Sequence, residues 1–271
     1  IAFTGSNAVG LGIMARAAVV HPGQRSIKRV IAELGGKNAI VIDEDADLDL
    51  AVADSVTSAF GYAGQKCSAC SRLVIVGRAY QPALDRLRGA VASLQVGPPH
   101  EPQTFVPPVI TAAARDRIEG YAAQGERTAA QLVQGRAPDA AGHYVAPRVF
   151  TGVPLDAPLA RDEIFGPVLS VFQAADFDSA LRIAGDSAYG LTGGLFSRHP
   201  SHIAQAKRDF LVGNLYINRR VTGAVVGRQA FGGLHMSGEG EKAGGPDYLR
   251  QFTVSRTITE NTMRRGFAPE R

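Results

Sequence analysis

The spacing of hydrophobic and polar positions changes along this chain between the pattern of strands and the pattern of helices. The run NAIVID at Asn38–Asp43 is almost continuously apolar, which is typical of a strand buried on both faces of a parallel sheet. The stretch after it repeats apolar side chains every three or four residues, which predicts a helix with one buried face. These positions are Leu48, Val52, Ser55, Val56, Ala59 and Phe60. Asp45 or Asp47 is suited to cap the start of this helix.

The same alternation of strands and helices extends along the chain. Further helices are predicted at Ala8–Val20, Ala79–Leu94, Thr111–Gln124, Asp178–Ala184 and Ser201–Phe210. Further strands are predicted at Ile1–Phe3, Arg29–Glu33, Arg72–Val76, Pro167–Phe172, Gly194–Ser197 and Asn214–Asn218. Proline-rich stretches at Gly97–Val109 and Pro138–Pro147 are predicted as loops. Strands that alternate with helices favour an α/β fold with a mostly parallel sheet.

The segment Gln251–Thr259 near the end of the chain has a different pattern. Its residues, QFTVSRTIT, alternate with a period of two, which predicts a strand. No partner strand lies nearby in the sequence. We therefore expect this strand to pair with a distant segment or with another subunit.

Composition and charge narrow the class of protein. The chain has 271 residues, of which 45% are hydrophobic, and this is enough for a sizeable core and two structural units. No apolar run is long enough for a membrane span, and the start lacks the regions of a signal peptide. A net charge of +4, carried by scattered basic residues, gives no nucleic-acid footprint. We expect a cytoplasmic protein without nucleic-acid or membrane partners, and, because Ile1 lies within a predicted strand, a piece of a longer protein.

Both cysteines lie in one short stretch, GQKCSACSR, at Cys67 and Cys70. Zinc needs about four ligands, and the chain has no second C-x-x-C pair and only dispersed histidines. A redox C-x-x-C pair usually starts a helix, whereas this one follows a helix end. A nucleophilic cysteine on the connection between a helix and a strand is the third interpretation. Spacing alone does not choose between the two thiols.

A carboxylate that could serve such a nucleophile is Glu33, at the end of a predicted strand. Gly35 and Gly36 follow it, and glycines allow another chain or a cofactor to approach the backbone. By spacing alone, Glu33 fits a solvated charge at a strand end better than a catalytic base.

Four motifs in chain order resemble the signatures of the aldehyde dehydrogenase superfamily. They are FTGS at Phe3–Ser6, ELGGK at Glu33–Lys37, GQKC at Gly64–Cys67 and EIFGP at Glu163–Pro167. Three further stretches are similar to the glutamate γ-semialdehyde (1-pyrroline-5-carboxylate) dehydrogenases: GQKCSACSR, GNLYINR at Gly213–Arg219 and KAGGPDYL at Lys242–Leu249. The ending ENTMRRGFAP is similar to versions of that enzyme in proline catabolism, some of them fused to a proline dehydrogenase.

The resemblance implies a fold and an activity for the chain. It implies an aldehyde dehydrogenase-like α/β fold, with a mostly parallel sheet in the catalytic domain and an incomplete Rossmann-like cofactor domain. Residues 1–33 correspond to the remainder of the NAD-binding domain, 34–233 to the catalytic domain, and 234–271 to the substrate anchor loop and the C-terminal oligomerisation strand. The chain as a whole corresponds to roughly the C-terminal half of the family's chain.

The activity implied by the resemblance is NAD-dependent oxidation of L-glutamate γ-semialdehyde, a small-molecule aldehyde, to L-glutamate. The enzyme would be a homo-oligomer, with a proline dehydrogenase as a fused or partner enzyme. Two alternatives stay open: an aldehyde dehydrogenase with a different substrate range, and a truncated, non-catalytic chain that acts in assembly.

The resemblance also assigns roles to single residues. Cys67 matches the nucleophile that adds to the aldehyde carbon, and Glu33 matches the base that activates water to hydrolyse the thioester. The matches to cofactor contacts are Gly5, Ser6, Leu34, Glu163 and Phe165. The matches to substrate contacts are Lys66, Ser68, Gly244, Gly245 and Phe252. The family's second oxyanion donor, an asparagine, and the lysine that grips the adenosine ribose lie upstream of the FTGS turn.

One stretch departs from the family's pattern. Where the family usually has PFGGFKxSG, this chain has AFGGLHMSG at Ala230–Gly238. The resemblance therefore gives no role to Leu234 and His235 and does not fix the geometry of this loop.

Overall fold

The computed structural model describes residues 1–138 and 141–262 as alternating helices and strands. The helices are α1 (Asn7–Ala17), α2 (Leu48–Phe60), α3 (Tyr80–Ala92), α4 (Ala112–Thr128), α5 (Pro158–Arg161), α6 (Phe177–Gly185) and α7 (Pro200–Asp209). The strands are β1 (Ala2–Thr4), β2 (Ile31–Glu33), β3 (Asn38–Ile42), β4 (Cys70–Val76), β5 (Ala130–Gln134), β6 (Arg148–Thr151), β7 (Val168–Ala174), β8 (Tyr189–Gly190), β9 (Thr192–Phe196), β10 (Asn214–Ile217), β11 (Leu234–His235) and β12 (Gly238–Glu239). Short 3-10 helices cover Gly61–Gly64, Gly77–Ala79 and Tyr248–Phe252.

A seven-stranded sheet forms the centre of the fold. Its strand order is β10-β9-β3-β4-β7-β6-β5, and every pair is parallel except β5 with β6. β3 lies inside this sheet between β9 and β4, and its residues Asn38–Ile42 are all buried. The continuous apolar run of β3 is thus explained by burial on both faces, and the predicted α/β architecture with a mostly parallel sheet is confirmed.

A smaller, three-stranded sheet pairs two strands from the first part of the chain with one strand from its last part. Its order is β1-β2-β12, with β1 parallel to β2 and β12 antiparallel to β2, so that Gly238 pairs with Glu33. The segment that departs from the family's motif therefore supports the strand that carries Glu33. Leu234 and His235 form β11, which pairs with β8.

The helix α2 begins at a side-chain cap. Asp47 accepts a 3.2 Å hydrogen bond from the Leu50 N–H, so Asp47 is the N-cap residue that the sequence left open against Asp45. Asp45 instead accepts the backbone N–H of Arg198 at 3.0 Å. One face of α2 is buried in the core, as its apolar spacing predicts.

The prediction of a strand at Gln251–Thr259 is wrong within a single chain. Gln251 and Phe252 belong to a 3-10 helix, and the residues that follow pair with no described strand. Gln251 is buried because its Oε1 accepts the Glu241 N–H at 2.8 Å, whereas Val254 and Ile258 are 92% and 72% exposed. The period-two pattern therefore has no buried face to match here. Pairing of this segment with another subunit stays a prediction.

Five described strands were missed by the sequence pattern, and three of them, β8, β11 and β12, have only two residues each. Two predicted segments are only partly described. β5 is an edge strand whose residues are exposed or half-buried, so it carries no clear alternation, and β6 is only four residues long. Residues 139–140 of the predicted loop Pro138–Pro147, and residues 263–271 with most of ENTMRRGFAP, lie outside the described residues. Among the described helices, none is both long and apolar enough to cross a membrane.

Candidate active site

A cavity of about 890 Å³ brings together most of the residues that the sequence motifs single out. The predicted residues on its wall are Gly5, Ser6, Glu33, Leu34, Lys66, Cys67, Ser68, Glu163 and Phe165. These residues come from four separate motifs, so the fold collects all four at one place. Gly244, Gly245 and Phe252 do not line this cavity.

Cys67 reaches the cavity through a sharp turn after α2. Tyr62, Ala63 and Gly64 have φ angles of 60°, 54° and 67°, which lie in the left-handed region. This conformation costs a non-glycine residue on the order of 1–2 kcal/mol, so the surrounding structure must hold the turn in place. The chain then passes through Gln65 and Cys67 on the cavity wall before it enters β4 at Cys70.

The side chain of Asn38 fixes the backbone around Cys67. Its Nδ2 donates to the carbonyl oxygens of Cys67 and Ala69 at 2.7 and 2.8 Å, and its Oδ1 accepts the Thr192 N–H at 2.9 Å. Gly36 packs against the same carbonyl, since a Cβ at this position would lie 2.6 Å from the Cys67 oxygen. Sequence reasoning missed Asn38, because a polar residue at the start of a buried strand carries no motif signal of its own.

The two cysteines have different surroundings. Cys67 is half-buried on the cavity wall, whereas Cys70 is 1% exposed within the core. Burial raises the pKa of Cys70 to about 12. Burial is also the main cause that raises the pKa of Cys67, reinforced by the charge of Glu163, while the Ser68 backbone N–H favours the thiolate. Cys67 is therefore the accessible thiol, and it rests in the protonated form at neutral pH.

Glu33 ends β2 with its carboxyl group inside the same cavity. Burial raises the pKa of Glu33 to about 7, and the positive charge of Lys242 acts in the opposite direction. Among the described residues, no group donates a hydrogen bond to its buried Oε2. A carboxyl group that titrates near neutral pH is suited to accept a proton from water.

Glu163 and Phe165 form the opposite part of the wall. The Gly36 N–H donates to Glu163 Oε1 at 2.9 Å, and a Cβ at Gly35 would collide with the Glu163 carboxylate. The two glycines thus allow the carboxylate to pack directly on the backbone after β2. Phe165 has a φ of 52° and is 39% exposed, with its ring at the cavity.

The FTGS turn closes the cavity at the start of α1. Gly5 donates its N–H to the Glu33 carbonyl at 3.0 Å, and Ser6 caps α1 by accepting the Val9 N–H at 3.4 Å. A turn at a helix N-terminus offers backbone N–H groups and a favourable dipole to a phosphate group. Together with the carboxylate of Glu163 and the ring of Phe165, this wall has the donors, acceptor and apolar surface that a nicotinamide nucleotide needs.

Of the predicted substrate residues, Lys66 and Ser68 line the cavity, whereas Gly244, Gly245 and Phe252 do not. Gly244 has a φ of 71° in a turn directly after Ala243, and Ala243 exchanges two backbone hydrogen bonds of 2.9 and 2.7 Å with Phe231 of the cavity wall. Phe252 instead packs edge-on against Tyr248, with ring centroids 5.4 Å apart. The roles of Gly244, Gly245 and Phe252 stay predictions.

Other wall residues had no place in the sequence reasoning. Arg117 comes from α4 and Phe231 from the loop before β11, and both line the cavity. Phe231 lies in the stretch that departs from the family's pattern, and Arg117 lies in a helix without a motif. Only the fold shows that these side chains reach the site.

Comparisons with known proteins agree with this geometry. The model of the aldehyde dehydrogenase family matches residues 1–258. A 1-pyrroline-5-carboxylate dehydrogenase of Geobacillus kaustophilus is 49% identical over 260 residues, which are 96% of this chain and 50% of that protein. A protein of the same name from Bacillus subtilis is 47% identical over the same proportions. The chain thus spans about half the length of these relatives.

Solved structures of similar sequence have the same fold. Proline utilization A (PutA) from Bdellovibrio bacteriovorus, inactivated by N-propargylglycine, is 51% identical with a TM-score of 0.95, over 100% of this chain and 28% of that one. A 1-pyrroline-5-carboxylate dehydrogenase from Thermus with bound NAD is 47% identical with a TM-score of 0.90, over 93% of this chain and 49% of that one. With a family match over nearly its whole length, and the family's four motifs around one cavity, the chain belongs to the aldehyde dehydrogenase family.

Proposed function

We propose that this chain is the catalytic part of an NAD-dependent dehydrogenase that oxidises L-glutamate γ-semialdehyde to L-glutamate. The observation that carries the proposal is the presence of Cys67 and Glu33 on the wall of one cavity. Relatives that carry the name 1-pyrroline-5-carboxylate dehydrogenase, at 47–49% identity, support the choice of substrate.

The chemistry begins at the thiol of Cys67. Its sulfur adds to the aldehyde carbon as the thiol proton passes to solvent, which gives a tetrahedral thiohemiacetal whose oxygen would meet the Cys67 backbone N–H. Oxidation turns this adduct into a thioester. Glu33 then takes a proton from water, the hydroxide attacks the thioester carbonyl, and L-glutamate leaves as the thiol reforms.

NAD supplies the oxidation when it is bound, by accepting the hydride that the adduct on Cys67 gives up. Gly5 and Ser6 at the start of α1 would meet its phosphates, and Glu163 would accept hydrogen bonds from ribose hydroxyl groups, since all three line the cavity. Phe165 and Leu34 provide apolar surface for the nicotinamide ring. A neighbouring structure with bound NAD supports this cofactor.

Ser68 and Lys66 beside the nucleophile would orient the amino acid end of the substrate. Ser68 is 8% exposed and lies on the cavity wall. Backbone N–H groups of the Gly244–Gly245 turn would complete an anchor for the α-carboxylate, since glycine turns form anion-binding concavities. The Phe231–Ala243 backbone pairing links this turn to the cavity wall.

The whole enzyme would include segments that this chain does not. Its relatives are about twice as long, and one solved neighbour is a bifunctional proline utilization A. We propose that the active form is a longer polypeptide in which a proline dehydrogenase produces the substrate, and that subunits assemble through Gln251–Thr259.

A kinetic experiment tests the reaction. In a polypeptide extended upstream to the length of the relatives, Glu33→Gln should release one equivalent of NADH per site in the first turnover and then stall, because the thioester is not hydrolysed. Steady turnover by Glu33→Gln would contradict the base role. Faster oxidation of aliphatic aldehydes than of glutamate semialdehyde would contradict the proposed substrate. An NAD titration of the 271-residue chain beside the extended polypeptide shows whether the shorter chain binds the cofactor alone.

A further inference from the structure

The helix α4, which belongs to none of the four motifs, contacts the segment that carries Glu163 and Phe165. Three residues on one side of α4 make these contacts: Arg117, Ile118 and Tyr121. They are spaced i, i+1 and i+4, so one helix face meets Asp162–Gly166. No sequence motif assigns a role to this helix.

The contact of Arg117 lies at the centre of the segment. Its Nη1 donates a 2.7 Å hydrogen bond to the carbonyl oxygen of Ile164, the residue between Glu163 and Phe165. Arg117 also lines the cavity, and its positive charge favours the ionised form of Glu163. Ile164 is only 2% exposed, so the residue that accepts this hydrogen bond is itself anchored in the core.

The contacts on either side restrict the same segment. A Cβ at Gly166 would lie 2.6 Å from Ile118 Cδ1, so the chain after Phe165 lies directly on α4. The Tyr121 hydroxyl donates to Asp162 Oδ2 at 2.9 Å on the other side of Glu163. Phe165 between these contacts has a φ of 52°, a conformation that a bulky residue keeps only when its surroundings hold it.

We propose that Arg117 is a positioning residue for the cofactor: it holds the Ile164 carbonyl so that Glu163 and Phe165 stay turned toward the cavity. The inference rests on the proposed function, in which these two side chains meet NAD. Arg117 acts through Glu163 and Phe165, so α4 helps to position the residues of the cofactor site.

Limited proteolysis tests the positioning directly on the 271-residue chain. Chymotrypsin cleaves after Phe165 only when this segment opens, so the cleavage rate reports its opening. Arg117→Met should raise the rate about tenfold, as loss of a hydrogen bond from a charged donor implies. Arg117→Lys should restore part of the protection. Arg115→Met is the matched control, because the Arg115 side chain pairs with Asp116 on the same helix and, among the described residues, makes no hydrogen bond or ion pair to the segment.

A second measurement connects the position of the segment to the cofactor. In the polypeptide extended to full length, Arg117→Met should weaken NAD binding about tenfold while KM for the aldehyde changes less than twofold, as expected when only the cofactor contacts move. If Arg117→Met does not fold by circular dichroism, Arg117→Lys and Tyr121→Phe replace it, and both should raise the cleavage rate a few-fold.

An unchanged cleavage rate in a folded variant overturns the proposal. So does faster cleavage with unchanged NAD affinity, because the segment then moves without consequence for the cofactor. Failure of the unaltered full-length enzyme to bind NAD is a different result: it overturns the proposed function, whereas the cleavage rates still report what Arg117 holds.

Discussion

The side-chain amide of Asn38 donates a 2.7 Å hydrogen bond to the carbonyl oxygen of Cys67, so β3, an inner strand of the large sheet, holds the backbone of the candidate nucleophile directly. The position of the Cys67 backbone, and with it that of the thiol, therefore depends on this strand. Gly36 approaches the same carbonyl from the segment between β2 and β3.

Gly36→Ala should lower turnover of the full-length enzyme by about ten- to a hundredfold, because small displacements of reacting groups have effects of this size. The new Cβ would lie 2.6 Å from the Cys67 oxygen and 2.7 Å from Asn38 Oδ1, so the backbone at Cys67 must move. Gly89→Ala in α3 is the control, since its Cβ meets nothing within 4 Å. It should stabilise the protein by about 0.5–1 kcal/mol in urea unfolding. Equal activity of both variants would contradict the prediction.

Alkylation should separate the two cysteines. Cys67 lies on the cavity wall, whereas Cys70 is 1% exposed with a pKa of about 12, so iodoacetamide should modify Cys67 far faster. Mass spectrometry of the native chain measures both rates. Cys67→Ala should abolish turnover, and Cys70→Ala should keep most of it while lowering stability by about 1 kcal/mol. Equal loss of activity in both variants would rule out a single nucleophile.

The pH dependence of thioester hydrolysis should report Glu33. Glu33 has a pKa of about 7, so the fraction of Glu33 in the carboxylate form, which accepts the proton, increases as pH rises through neutrality. The hydrolysis rate should therefore rise with pH and level off above pH 7. Lys242→Met removes a positive charge that favours the carboxylate, so the midpoint should shift to higher pH. Rapid-mixing measurements of the step at several pH values test the direction, and a shift to lower pH would refute it.

Arg72 should contribute strongly to stability because its buried guanidinium group serves several carbonyl groups. It donates to the carbonyl oxygens of Lys37, Ile183, Ala184 and Asp186 at 3.0, 3.1, 2.8 and 3.2 Å. Arg72→Met leaves these carbonyls without their donor and should cost about 3 kcal/mol or more in urea unfolding. Arg88→Met removes only an exposed pair with Asp85 and should change stability by less than about 1 kcal/mol.

Lys37 should make stability rise with pH above neutrality. Its side chain is 2% exposed and burial lowers its pKa to about 7, so the unfolded chain binds one more proton than the folded chain between this pH and the ordinary lysine pKa. The free energy of unfolding should therefore increase by up to about 1.4 kcal/mol per pH unit from pH 7 to 9. Lys37→Met should remove this increase. Parallel pH profiles of the two proteins in urea unfolding would show that the lysine is charged in the folded state.

Much of the fold follows from local pattern, and its limits have physical causes. β3 and α2 were predicted because a doubly buried strand and a helix with one buried face leave opposite signatures in the sequence. β5 was missed because an edge strand in contact with solvent needs no alternation. The strand predicted at Gln251–Thr259 is wrong within this chain, because a strand also needs a neighbouring strand to pair with. The pattern of a segment does not show whether such a neighbour exists.

The candidate site divides in the same way. Cys67 and Glu33 lie in motifs with a recognisable order, so the sequence alone identifies them as candidates. Asn38 and Arg117 act through hydrogen bonds to carbonyl groups that are distant in sequence, such as those of Cys67 and Ile164 at separations of 29 and 47 residues. A hydrogen bond to a main-chain oxygen does not depend on the residue type of the acceptor, so it leaves no paired signal in the sequence.

The protonated resting state of Cys67 has a consequence for chemical probes. Because the thiolate is the reactive form, a small electrophile without binding groups meets mostly the slow thiol at neutral pH. A covalent inhibitor of this protein would have to gain its potency from reversible contacts within the cavity before the bond forms. Selectivity over other thiols would then come from contacts with the cavity wall, because a more reactive electrophile reacts faster with every thiol alike.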